Sequence, residues 1–174
     1  MSTRDIRRKY GQNYLKDPAV LFEMGEAISP NTFDSFIEIG PGLGALTNQI
    51  NKENVNIIGI DIDKGNIEVL KSKFKGPANF QFINEDILKF KLEDSGTSPR
   101  IIGNLPYNIS TQIILNYVDS YKEIIDMHFL VQKEVAQKIA GKVSTKDWGK
   151  LAIKISAFFE IEILFDVPRE AFDI

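Results

Sequence analysis

Asn104-Leu105-Pro106-Tyr107 brings together an amide oxygen, a main-chain carbonyl left free because a proline bends the chain away, and an aromatic ring. Two acceptors beside an aromatic face form a receptor for a planar base that carries an exocyclic amino group. Such a nitrogen is a poor nucleophile, because its lone pair is delocalised into the ring. Hydrogen bonds from both of its protons to Asn104 and the Leu105 carbonyl would favour a pyramidal nitrogen aimed at an incoming methyl group. A Pro-Tyr turn capped by asparagine is a common tetrapeptide in general. Its position after a strand, downstream of a glycine loop, gives it the chemical reading.

That loop, Gly40-Pro41-Gly42-Leu43-Gly44, joins a strand to a helix and lets backbone approach a ligand closely, with helix N–H groups pointing toward it. By itself it is equally a plain connector. Asp61 follows about twenty positions on, at the end of the next apolar run, where nucleoside-binding folds grip a ribose diol with two carboxylate oxygens. Helix capping is the competing role for an aspartate here, and Asp63 suits it better. Asp86 is placed to accept a hydrogen bond from an adenine amino group, or else is a turn residue beside Glu85. Loop and acid fit a nicotinamide cofactor and S-adenosylmethionine alike. The third glycine comes one position earlier than in the dinucleotide fingerprint G-x-G-x-x-G.

The elements that must position these groups alternate. Asp17-Pro18 is an N-cap followed by proline at the first helical position, opening a helix over 18–27. Apolar runs at 35–39, 56–60, 79–83, 100–103 and 125–131 read as strands, and 158–167 as one more. Helices are expected over 45–51, 64–74, 110–121, 133–142 and 148–157. Strands that are apolar on both faces and alternate with helices indicate an α/β fold, a mostly parallel central sheet with helices on both sides. Ligands bind such sheets beyond the carboxyl ends of the strands. Gly40, Asp61, Asp86 and Asn104 all map to that edge.

Composition narrows the chemistry further. The 174 residues, 43% hydrophobic and 26% charged, suit one globular domain. With no cysteine and one histidine, thiolate metal sites, disulfides and thiol catalysis are excluded, and no metal site is expected. His128 stands among Met127, Phe129 and Leu130 and reads as a core or strand-end residue. A net charge of -3 excludes a uniformly basic coat for nucleic acid but leaves room for a local patch. Residues 1–16 concentrate Arg4, Arg7, Arg8, Lys9 and Lys16 against Asp5, either a basic arm or a solvated tail. No apolar run reaches the ~18 residues of a membrane span, so a cytoplasmic protein without a membrane partner is expected.

The ordered set of motifs resembles the ribosomal RNA adenine N6-dimethyltransferases of small-subunit RNA. The resemblance runs from Tyr10-Gly11-Gln12-Asn13-Tyr14-Leu15 through Glu38 to Thr47, Asp61-Ile62-Asp63, Glu85-Asp86 and Asn104 to Ser110, ending at Val167 to Phe172. It implies a Rossmann-like class I methyltransferase fold using S-adenosylmethionine to dimethylate two adjacent adenosines of small-subunit (16S) ribosomal RNA. The implied cofactor contacts are Asn13, Leu15, Gly40, Asp61, Asp86 and Asn104. The implied catalytic group is Asn104, Leu105, Pro106, Tyr107 and Phe172, with Tyr107 and Phe172 sandwiching the flipped adenine. Three positions depart from the family's habit: Asp61 for glutamate, Tyr14 for phenylalanine, and Val167-Pro168-Arg169 for a pair of prolines.

By the same resemblance, residues 1–16 form a basic arm carrying a cofactor motif and 17–174 the catalytic domain. A last strand and a C-terminal helical domain, present in the family after the Phe172 motif, are expected to be missing here. The implied partner is small-subunit ribosomal RNA or its precursor particle, with the protein a monomer. Three other readings stay open: an RNA-binding assembly factor with little activity, a large-subunit RNA adenine methylase, and a nicotinamide-dependent oxidoreductase.

Overall fold

Buried side chains on both faces commit three of the apolar runs to the middle of a sheet. In a computed structural model describing residues 13–96 and 98–173, Ser35–Ile39 (β2), Asn56–Asp61 (β3), Asn79–Asn84 (β4), Arg100–Asn104 (β5) and Met127–Leu130 (β6) pair in the order β4-β3-β2-β5-β6. Every pairing is parallel. A second, antiparallel pair joins Tyr14–Leu15 (β1) to Phe172–Asp173 (β7), with Leu15 opposite Phe172. Successive strand residues point to opposite sides. Phe36, Ile57 and Ile102 therefore enter one core with the first helix, while Ile37, Ile39 and Ile101 enter the other.

Helices cover both faces. Pro18–Ile28 (α1) is capped by Asp17, whose Oδ1 accepts from the Ala19 N–H at 2.8 Å, and it buries Val20, Leu21, Met24 and Ile28. Ala45–Gln49 (α2) follows the glycine loop and adds Leu46 to the same core. Lys64–Lys73 (α3) is capped by Asp63 through the Gly65 N–H at 2.8 Å, as the sequence suggested. On the opposite face lie Ser110–Asn116 (α4), Lys133–Ile139 (α5) and Lys150–Ser156 (α6). These bring Ile113, Ile114, Ile139 and Ile155 against the sheet.

The chain runs from β2 outward through β3 to β4, then returns to place β5 on the other side of β2. This reversal opens a crevice beyond the carboxyl ends of β2 and β5, between Gly40 and Asn104.

Several helices are shorter than the sequence pattern predicts. The helix expected over 45–51 stops at Gln49, where Ile50 closes a tight turn onto the Thr47 carbonyl. The one expected over 110–121 stops at Asn116. Tyr117 and Val118 continue in i to i+3 turns because both are buried, and Tyr121–Glu123 forms a separate 3-10 turn. The strand expected over 125–131 pairs only where β5 lies beside it.

The strand expected over 158–167 is absent. Phe159, Ile161, Phe165 and Val167 do alternate inward onto the two cores. Among the described residues, however, no neighbouring strand pairs with 160–167, and no backbone hydrogen bond outside the helices and strands reaches it. Alternation records which side chains are buried, whereas a strand also needs a ladder. The basic residues before Asn13 lie outside the described residues. No described helix is long and apolar enough to cross a membrane.

Arg100 locks the opposite, amino-terminal edge of the sheet. Its Nε and Nη2 donate to both oxygens of Asp126, at 2.9 and 3.0 Å, and its Nη1 to Asp34 at 2.8 Å. Further bonds reach the Ile28 and Ser29 carbonyls, and the guanidinium lies over the Phe36 ring. Burial opposes the charge, but the two aspartates outweigh it and hold the pKa above its ordinary value. Arg100→Met keeps the apolar stem and removes the fork, so it should cost about 3 kcal/mol in urea unfolding, the low end for breaking a buried pair. An unchanged midpoint would show that the node contributes nothing to stability.

Candidate functional site

The glycine loop is built to leave room. Gly40, Gly42 and Gly44 all have positive φ, a region that favours glycine. At Gly44 a Cβ would lie 2.2 Å from the Phe74 ring, so the loop is clamped against the end of α3. At Gly40 the nearest atom to a Cβ would be the Asn104 carbonyl oxygen, 3.9 Å away, so here the backbone stays open.

Asp61 ties this loop to its surroundings. Its Oδ2 accepts from the Gly42 N–H and from Asn66 Nδ2, each at 3.1 Å, and its Oδ1 accepts from the Asp63 N–H at 2.9 Å. A carboxylate offers about four lone-pair sites, so one remains for an external hydroxyl. Burial pushes the Asp61 carboxyl above its ordinary range, against the pull of these three hydrogen bonds. Asn66 in turn accepts from the Tyr14 hydroxyl at 3.2 Å. Tyr14 and Asp61 thus meet through one asparagine.

The strap that carries Tyr14 crosses the crevice between two anchors. The Lys16 and Asp17 N–H groups donate to the Ala171 carbonyl, at 2.9 and 3.2 Å. Asn104 Nδ2 donates to the Asn13 carbonyl at 2.8 Å. A carbonyl can only accept, so this bond fixes which end of the Asn104 amide is which and leaves Oδ1 as the acceptor. The Leu105 N–H is engaged by the Leu130 carbonyl at 3.0 Å, and its own carbonyl accepts no hydrogen bond among the described residues. Tyr107 is 55% exposed, whereas Leu105 is buried in the core.

One cavity of about 2060 Å³ gathers these groups. Asn13, Leu15, Gly40, Asp61, Asp86 and Asn104 all line it, as do Leu105, Pro106, Tyr107 and Phe172. The rings of Tyr107 and Phe172 do not touch each other. Asp86 forms the turn that one of its two sequence readings expected. Its Oδ1 accepts from the Leu88 N–H at 3.0 Å, a local turn, while the residue still faces the cavity. His128 sits in β6 with its Nδ1 buried, unbonded among the described residues and 3.9 Å from Asp126. Burial holds the imidazole below its ordinary range.

Sequence reasoning assigned no role to Glu38, which is 1% exposed and also lines the cavity. Thr47 Oγ1 donates to its Oε2 at 2.6 Å. Burial pushes the Glu38 carboxyl up to about 7. A charge in the middle of the otherwise apolar run Phe36 to Ile39 was the available signal. Asn66 gave none, because its partners lie in other elements.

A parallel sheet with its glycine loop, ribose-type acid and polar tetrapeptide converging at the strand reversal defines the class I methyltransferase fold. The crystal structure of 23S rRNA methyltransferase ErmE shares that fold, with a TM-score of 0.77 over 92% of this chain and 64% of that one, at 24% identity. Residues 3–173 match the family model for ribosomal RNA adenine dimethylase, and the chain belongs to that family.

Its relatives include a ribosomal RNA small subunit methyltransferase A of Wigglesworthia glossinidia brevipalpis, 41% identical over 95% of this chain. A solved dimethyladenosine transferase from Plasmodium falciparum is 26% identical, with a TM-score of 0.65 over 82% of this chain and 51% of that one. The chain spans 65% of the length of the Wigglesworthia protein.

Glu38 yields a test that needs no ligand. The unfolded carboxyl ionises near 4.5 and the folded one near 7, so between these values the folded chain holds the extra proton. The stability that Glu38 contributes is therefore fully present below the lower value and is lost as pH rises through the upper one, by about 3 kcal/mol. In Glu38→Gln this slope should vanish, seen as melting temperatures of the two proteins diverging across the window. Parallel melting curves would show that Glu38 is ionised in the fold.

Proposed function

We propose that this chain uses S-adenosylmethionine to methylate the N6 amino group of adenosine in small-subunit ribosomal RNA, twice at each of two adjacent adenosines. The observation that carries the reading is the Asn104 amide. Its nitrogen is committed to Asn13 and its oxygen left to accept, beside an unengaged Leu105 carbonyl and in the same cavity as Gly40 and Asp61.

The cavity suits an adenosine-bearing sulfonium: Gly40 leaves open backbone, Asp61 keeps an acceptor, and Glu38, Glu85 and Asp86 line it with acidic groups. When bound, the cofactor supplies an electrophilic methyl group. Asn13, Leu15, Gly40, Asp61, Asp86 and Asn104 are the residues proposed to hold it. Tyr107 and Phe172 then hold the target adenine between two rings, while Pro106 shapes the turn that frees the Leu105 carbonyl.

Asn104 and Leu105 accept from both amino protons and so turn the nitrogen lone pair outward. The rate comes from positioning and fixed dipoles, with no covalent intermediate. A strong general base is unnecessary, because the nitrogen becomes acidic once methylated and releases its proton to solvent beside Asn104. The basic residues of 1–16 serve as an arm for RNA, and 17–174 as the catalytic unit, in a monomeric cytoplasmic protein.

Small-subunit RNA is favoured over large-subunit RNA by the 41% identity to a small-subunit methylase, against 24% to ErmE. The test is methyl transfer from a labelled donor to small-subunit particles that lack the modification. Asn104→Ala should abolish transfer and leave donor binding weakened but measurable; full activity in that variant would refute the amino-group role.

Phe172→Ala should chiefly slow turnover of RNA, with the loss set by a stacking contribution of roughly 1–3 kcal/mol per base. An equal loss of donor affinity, read by calorimetry, would count against stacking.

A further inference from the structure

The charge of this chain is unevenly placed. Residues 132–157 hold Lys133, Lys138, Lys142, Lys146, Lys150 and Lys154 against Glu134 and Asp147, within a chain whose net charge is -3. All six lysines are exposed. Lys133 is paired to Asp166 at 2.6 Å, whereas the other five make no ion pair among the described residues. Outside this segment and the basic residues of 1–16, the chain is correspondingly more acidic than the total suggests.

The segment is a structured hairpin. Helices α5 and α6 pack against each other. At their junction a Cβ on Gly141 would lie 2.2 Å from the Asp147 carbonyl oxygen, so the chain closes on itself there and 142–146 protrude as a lobe. Inside the lobe the Thr145 N–H and hydroxyl both donate to the Lys142 carbonyl, and the Trp148 N–H donates to Thr145. Lys142 and Lys146 are therefore mounted on a bonded tip, and Lys150 and Lys154 one turn apart on α6 share a face.

The hairpin is also continuous with the site. Leu130, the last residue of β6, is the register partner of Asn104, and α5 begins three residues later. Lys133, Ala136 and Gln137 line the same cavity as Asn104.

We infer that the exposed lysines of the α5–α6 hairpin form a phosphate-binding surface that docks the RNA substrate beside the base site, an inference that rests on the RNA-methylating function proposed above. Lysine is a hydrated point charge without arginine's planar fork, and it suits contact with phosphates irrespective of sequence. Apart from the basic residues of 1–16, the rest of the chain is net acidic and repels the same polyanion, so RNA is steered to approach from the hairpin side.

The test is the salt dependence of binding a transcript of small-subunit ribosomal RNA to the full 174-residue chain. Each phosphate that a lysine ceases to neutralise should lower the slope of log K against log salt by about 0.7–0.9. A variant with Lys138, Lys142, Lys146, Lys150 and Lys154 all changed to Gln should show a slope lower by about 3.5–4.5 and bind S-adenosylmethionine as the parent does. Should that variant fail to fold, Lys142→Gln and Lys146→Gln, at the solvent-exposed tip, are measured singly. An unchanged slope, or a parent that binds polyglutamate as well as RNA, overturns the inference. A reduced slope with no methyl transfer by the parent upholds the surface and removes the enzyme reading; transfer with an unchanged slope does the reverse.

Discussion

The Asp61 carboxylate is the constraint on which the site depends. It collects a backbone amide from the glycine loop, a side-chain amide from α3 and the amide two residues along its own chain. Hydrogen bonds to a charged acceptor contribute about 1.5–3 kcal/mol each, and removing the acceptor would leave buried donors unpaired. The loop needs this anchor because three of its five residues occupy left-handed backbone, held within the loop by the bond from the Gly44 N–H to the Pro41 carbonyl at 2.8 Å. With Gly42 held by Asp61 and Gly44 clamped on Phe74, Gly40 can stay open without the loop collapsing into the space.

The same carboxylate reaches the strap. Through Asn66 it is linked to the Tyr14 hydroxyl, so loop, strand end, helix and strap share one hydrogen-bonded chain. A longer acid at 61 with phenylalanine at 14 could not make this arrangement, since the hydroxyl would be missing. Tyr14 and Asp61 thus belong to one hydrogen-bonded arrangement.

Much of the fold was legible because the central strands are apolar on both faces, and Ser35–Ile39 was read to the residue. The carboxyl-edge residues were legible for a related reason: a parallel sheet delivers whatever follows each strand to one side, so Gly40, Asp61, Asp86 and Asn104 had to converge. Periodicity failed where pairing or packing decides. Phe159 to Val167 alternates as a strand does but has no ladder partner, and Tyr117 and Val118 keep an apolar helical rhythm after their helix has ended. Within the site, the place of Asn104 at the end of a strand could be read from the sequence. The bond to Asn13 that orients its amide spans 91 positions and is a product of the fold alone.

The antiparallel pairing of β1 with β7 has a consequence for biosynthesis. The strap bearing Asn13 and Leu15 precedes every strand of the central sheet along the chain, and its partner Phe172 follows them all. A nascent chain can therefore complete its parallel sheet and still lack a closed crevice. Closure of the crevice waits for β7 to pair with β1, so partly synthesised chains that lack residues 172–173 hold the scaffold of the site without its strap fastened there.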